Sequence, residues 1–157
     1  MIIYQMYPII LLLHILSAVI WLGFFPVEIS LIKSIKKENS KDIKNSLMTK
    51  LLSLTNLTGM IGSIGILFTG IILVLISPLF HFFEMKANHW LTTKQFIILI
   101  ILLITFVFII PISKKIKSSM NENYVESSFK KFVRWSYTEK ILVLINFLLA
   151  FLHRFYF

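Results

Sequence analysis

Four histidines are the residues of this chain best suited to chemistry, because neutral imidazole is a common ligand for metals and haem iron. His14 lies inside a long apolar stretch, and Trp21 follows it two helical turns later on the same face. A ring that can carry charge is costly in hydrocarbon, so His14 marks a candidate functional site. The other three histidines are His81, His89 and His153.

Four long apolar stretches surround these histidines and predict an all-α fold, a four-helix transmembrane bundle. About 20 apolar residues cross the hydrocarbon core, and only a helix satisfies their backbone polar groups in lipid. Hydrophobic residues make up 57% of the 157 residues, so we expect one four-span membrane domain over residues 1–157. The spans are predicted at residues 7–32, 51–77, 95–112 and 139–157, with Pro78 ending the second.

The basic residues predict which way the bundle faces. The link between the first two spans holds six lysines, and the link before the last span holds seven Lys and Arg, the last being Lys140. The other three of the 16 basic residues lie on the opposite side: Lys86, Lys94 and Arg154. The positive-inside rule then places both basic links in the cytoplasm and both termini on the outer side, in a bacterial inner (plasma) membrane. The net charge of +9 is expected to meet anionic lipid and not nucleic acid.

The second basic link is expected to contain structure of its own. Apolar residues at 125, 129, 132 and 133 follow helical spacing and predict a short cytoplasmic interfacial helix before the last span. Residues 118–123, ahead of it, are expected to form a loop.

This topology places all four histidines in the outer half of the molecule. His14 would lie about 10 Å below the outer start of span one, and His153 about 6 Å from the outer end of span four. A b-type haem between helices needs two histidines from different spans at similar depth, and this pair fits best. His81 and His89 bracket the outer link. Contact with lipid headgroups is the alternative for these two and for His153.

Acidic residues occur within two of the spans. Glu139, Asn146 and His153 are spaced seven apart, and this polar stripe is expected to face the bundle interior. Glu28, near the inner end of span one, either reaches the cytoplasmic interface or serves as a proton entry point.

Small residues line the second span. Gly59 with Ser63, and Gly65 with Thr69, form small-xxx-small pairs that let helix backbones approach closely in lipid. They indicate either helix packing or room for a flat ligand against this helix.

The first span, with His14-x6-Trp21-x-Gly23 followed by Pro26, resembles the first helix of HemJ-type protoporphyrinogen oxidases and the related CopD-type copper-resistance membrane proteins. The third span opens with Trp-Leu-Thr-Thr-Lys94, which is similar to the Trp-x3-Lys start of the corresponding HemJ helix.

The resemblance implies a b-type haem bound by His14 and a functional role for Lys94, as the partner of a propionate or an acidic substrate. His153 would be the second axial ligand and Trp21 a wall of the site, in a protein with redox or electron-transfer work. Thr105 stands where HemJ proteins have a further histidine. Protoporphyrinogen oxidation is therefore not carried over, and whether the chain is an oxidoreductase stays open.

Two other functions are compatible with the sequence. Copper handling in the CopD manner would use His81 and His89 with Met6 and Met85, which are suitable ligands for copper. A small structural subunit of a larger membrane complex is the third possibility. The expected partners are the lipid bilayer, a membrane redox partner or such a complex, and a second copy of the chain.

Overall fold

The helices of the chain account for almost all of its residues. A computed structural model describes residues 2–85, 89–119 and 125–156, and every regular element within them is helical. The elements are α1 (Ile2–Gly23), α2 (Phe25–Lys37), α3 (Lys41–Ile76), α4 (His89–Leu103), a π-helical segment (Ile104–Ile109), α5 (Ile110–Ser118) and α6 (Val125–Tyr156). The prediction of an all-α fold is confirmed.

Four helical stretches are long and apolar enough to cross a membrane: Met6–Lys37, Lys41–Ile76, His89–Ser118 and Glu126–Leu152. Large apolar side chains cover their outer surfaces; Leu75, for example, is 70% exposed. Such a surface is typical of helices in a lipid bilayer and agrees with the predicted membrane class. We call the end of the bundle where α2 gives way to α3 the basic end, and the end where α4 begins the opposite end.

The first span is interrupted at Phe24, between α1 and α2. Pro26 lies in the first turn of α2, where its missing N–H is tolerated. A proline at this position cannot bond to the carbonyl four residues earlier, so the helix is interrupted just before it. The backbone bond from Glu28 N–H to the Phe24 carbonyl, 3.0 Å long, then restarts the helix.

The third span is also irregular, because its middle contains the π-helical segment Ile104–Ile109. Pro111 follows directly in the first turn of α5 and removes another backbone donor. Single π turns within α-helices occur frequently at functional sites. Thr105 is buried inside this segment.

The last span differs from the prediction, because α6 runs without a break from Val125 to Tyr156. Residues 125–156 contain no Gly or Pro, so nothing ends the helix before the span begins. Phe129, Phe132 and Val133 are buried in a core with residues of α2, α3 and α5. The predicted interfacial helix is therefore the first part of α6, and the predicted loop at 118–123 lies mostly outside the described residues.

Helix α1 packs along α3 in the opposite direction. A Cβ added at Gly62 would lie 2.6 Å from the Cβ of Trp21, and one at Gly65 would overlap the side chain of Ser17. The space beside these two glycines of α3 is thus occupied by side chains of α1. Close helix packing accounts for the glycines at these two positions.

Candidate functional site

His14 lies on the face of α1 that meets α3, near the opposite end of the bundle. Its Nδ1 is 2.8 Å from the hydroxyl oxygen of Thr69. That hydroxyl also bonds to the backbone carbonyl of Gly65. A hydroxyl has one hydrogen, so when Thr69 gives it to the carbonyl, the oxygen accepts a hydrogen from Nδ1. With the Thr69 hydrogen on the carbonyl, the ring is the Nδ1–H tautomer and its lone pair is on Nε2.

The ring of His14 is held against the backbone of α3. A Cβ added at Gly70 would lie 3.3 Å from Cε1 of the ring. Glycine at this position lets the half-buried ring approach the helix closely. A ligating histidine commonly donates its second ring N–H to a neighbouring oxygen, and His14 has this arrangement through Thr69.

Lys94 enters the same region from α4. It is half-buried, its Nζ lies 5.7 Å from the centre of the Trp90 ring, and it is close enough to His14 for their charges to interact. The link before α4 is fastened to this helix, since Gln95 accepts a bond of 2.7 Å from the backbone N–H of Phe83. His14 on span one and Lys94 on span three thus lie in the same region of the bundle, and the roles expected for them stay predictions.

The other predicted histidines are not assembled with His14 in the part of the chain that the structure describes. His81 lies in the link before α4 and His89 is the first residue of that helix, and both are exposed. The side chain of His153 lies outside the described set. No group of three or more His, Cys, Asp or Glu suited to a metal ion occurs among the described residues.

A second site lies in the interior, where three ionisable side chains meet without access to solvent. Lys140 Nζ is 2.9 Å from one carboxylate oxygen of Glu139 and 3.9 Å from one of Glu28. The side chains of Lys140, Glu28 and Glu139 are exposed by 0%, 0% and 2%. We call these three residues the charge cluster. Buried ionisable groups are expensive in lipid and mark functional positions.

Hydroxyl groups and one aromatic ring surround the charge cluster. Ser136 donates to the other oxygen of Glu28, and the Thr105 hydroxyl lies 2.6 Å from the second oxygen of Glu139. The ammonium group of Lys140 is 5.8 Å from the centre of the Trp21 ring. Trp21 is fully buried between α3 and α6. It contributes to helix packing and to the wall of the charge cluster.

Two sequence-based interpretations need correction here. The charge pattern predicts Lys140 in a cytoplasmic link, yet it lies fifteen residues into α6, about 22 Å along the helix from its start. Glu28 does not reach an interface, because it faces Lys140 in the interior. The prediction that Glu139 points inward is correct. The spacing of residues in the first span indicates that Glu28 faces inward, since it follows Trp21 by seven residues on the face that carries His14.

In comparisons with known proteins, no family model, no curated protein and no solved structure matches the chain.

Proposed function

We propose that this chain is an integral membrane protein that binds a b-type haem at the end of the bundle opposite the basic links, for redox or electron-transfer work. The observation that carries the proposal is the His14–Thr69 hydrogen bond. It orients the imidazole and, with Nδ1 as the donor, leaves the lone pair of Nε2 for a haem iron. The resemblance of the first and third spans to HemJ-type proteins supports the same assignment.

Three residues of the opposite end would hold the haem. His14 would be one ligand of the iron, and the ammonium group of Lys94 would pair with a propionate. His153, on the last span, would be the second ligand. A bound haem would supply one-electron transfer, while these side chains hold and orient it. Trp21 would act at a distance by fixing the packing of α1 on α3, and not as a wall of the haem.

The orientation in the membrane is part of the proposal. Even without Lys140, the two basic links carry far more Lys and Arg than the opposite end. The basic links therefore face the cytoplasm and both termini face the outer side of a bacterial inner membrane. In this orientation the first turns of α6 lie near the cytoplasmic interface, while the haem is within reach of a membrane redox partner or a second copy of the chain.

Visible absorption of the purified chain, expressed with added haem precursor, tests the proposal. We expect a Soret band that is lost in His14→Ala and in His153→Ala. His81→Ala, which changes an exposed histidine of the same end, is the matched control and should keep the band. Absence of the band in the unaltered chain after haem supplementation would refute haem binding.

The same preparation separates the two alternatives. Copper bound in stoichiometric amount, without haem, and lost on replacing His81 and His89 would favour copper handling. Neither haem nor copper, together with stable partner subunits that co-purify, would favour a structural subunit of a larger complex.

A further inference from the structure

The charge cluster contains two acidic side chains and only one basic side chain. Glu28 and Glu139 can each carry a negative charge, and Lys140 carries one positive charge. The neighbouring side chains recorded among the described residues do not restore the balance: they are hydroxyl or aromatic groups, namely Thr105 in the π segment, Trp21 on α1, and Ser136 and Tyr137 on α6. With both acids ionised, the cluster would hold one uncompensated negative charge.

An uncompensated charge in this position is strongly unfavourable. All three side chains are at least 98% buried, and the bundle is surrounded by apolar surface. The cost of burying a single unpaired ion is several kcal/mol even after the protein relaxes, and a buried group usually neutralises instead. Two acids that share one site with a single base therefore favour uptake of one proton.

The hydrogen-bond count leaves a place for that proton. The Thr105 hydroxyl lies 2.9 Å from the backbone carbonyl of Ile101 and 2.6 Å from Glu139. Its one hydrogen serves one of these oxygens, so a hydrogen on the Glu139 carboxyl completes the second bond. One oxygen of Glu28 makes no hydrogen bond with another described residue. The cluster thus offers two positions for one additional hydrogen.

Two further buried polar atoms, on α1 and α3, have no hydrogen-bond partner among the described residues. They are the indole N–H of Trp21 and the hydroxyl of Thr55. Thr55 lies at the level of Glu28, because α1 and α2 run antiparallel to α3 in the register set by Trp21 and Gly62. A protonated carboxyl can donate to a hydroxyl oxygen. These groups can therefore form hydrogen bonds with a carboxyl group when it gains or loses a proton.

We propose that the charge cluster binds one exchangeable proton, shared between the carboxyl groups of Glu28 and Glu139. In the protonated state one acid is neutral, and the other forms an ion pair with Lys140. The proposal does not depend on haem binding, because the cluster and the His14 site use different residues.

A proton fits this site better than a metal cation. The ammonium group of Lys140 already occupies the space next to both carboxylates, and the Trp21 N–H is a donor that would repel a cation. Polar contacts also lead towards the basic end. Asn56 donates to Ser113 at 3.1 Å, and Lys117 donates to Ser53 at 3.5 Å, where the surface is exposed. These contacts mark the side from which protons would exchange.

Infrared spectroscopy of the full chain in lipid nanodiscs tests the proposal through the C=O stretch of protonated carboxyl groups. At neutral pH we expect one protonated carboxyl per chain, lost in Glu28→Gln and equally in Glu139→Gln, because either change leaves a neutral ion pair. Lys140→Met should double the band, since both acids then take up a proton. Glu126→Gln, which changes an exposed acid, is the matched control and should leave the band unchanged.

The unaltered chain keeps the proposal testable if a variant does not fold. Its band should decline as the pH is raised, because the proton leaves the cluster, and it should be insensitive to replacing sodium by potassium. Absence of a protonated carboxyl at neutral pH would overturn the proposal. So would a band that persists in both glutamine variants, or stability that depends on the concentration of one cation.

Discussion

The contact between α1 and α3 gives a quantitative test of the bundle, through the substitution Gly62→Ala. A Cβ at this position would lie 2.6, 2.7 and 2.8 Å from Cβ, Cγ and Cδ2 of Trp21. Non-bonded carbon atoms prefer separations of about 3.5–4.0 Å. The two helix backbones would therefore have to separate by roughly 1 Å, on the distance between these values, to accept one methyl group.

The expected cost follows from two opposing effects. Overpacking a well-filled contact costs about 1–3 kcal/mol, whereas replacing glycine by alanine within a helix gains about 1 kcal/mol. Gly59, one turn earlier on α3, is the matched control, because its added Cβ would meet only the Trp21 Nε1 at an ordinary 3.9 Å. Gly59→Ala should gain the helix term without the overpacking. We therefore expect Gly62→Ala to be less stable than Gly59→Ala by about 1–3 kcal/mol.

Reversible unfolding in mixed micelles with increasing sodium dodecyl sulfate measures this difference. Tryptophan fluorescence is a suitable signal, because Trp21 is fully buried at the contact. Equal stability of the two variants, or a more stable Gly62→Ala, would refute the close approach of α1 and α3.

Three further predictions concern other parts of the chain. Lys140→Met leaves two buried acids without their base and should lower the free energy of unfolding by about 3–5 kcal/mol, measured by the same unfolding titration; an unchanged midpoint would contradict the buried ion pair. Thr69→Val removes the hydrogen-bond partner of His14 and should weaken haem binding about 10–100-fold in a haem titration, while Thr69→Ser should restore it; equal affinity of both variants would argue against an orienting role. Because the chain contains no cysteine, Ser40→Cys and Leu79→Cys each introduce a single thiol; a membrane-impermeant reagent applied to intact cells should label only the second, and the reverse pattern would invert the proposed topology.

The sequence predicted the spans well because long apolar runs in lipid have one main structural solution. Pro78 ends the second span as expected, since α3 stops at Ile76 and Ser77 is extended. The pairing of His14 with α3 was not predictable in detail. It depends on how far α1 is shifted along α3. Helical spacing predicts which face of each helix is packed, but not this axial register.

The charge cluster shows where sequence patterns stop being informative. Lys140 follows the basic link directly, and counting charges cannot tell a lysine in a loop from one inside a helix. Its position depends on α6 beginning at Val125, a consequence of core packing by Phe129 and Phe132. The π segment around Thr105 is equally hidden, because its sequence is as apolar as the rest of the span.

The break at Phe24 and the π-helical segment make two of the four spans different from the other two. Spans one and three are each interrupted near the level of the charge cluster, at Phe24 and in the π segment, whereas α3 and α6 are continuous from end to end. Two continuous helices, α3 and α6, thus pack against two spans that each contain an interruption, which we call the jointed spans. Bending at these joints would change the separation of His14 and Lys94 while the core at the basic end stays packed. The charge cluster links the two kinds of span, because Glu28 lies on a jointed one and Glu139 and Lys140 lie on a continuous one.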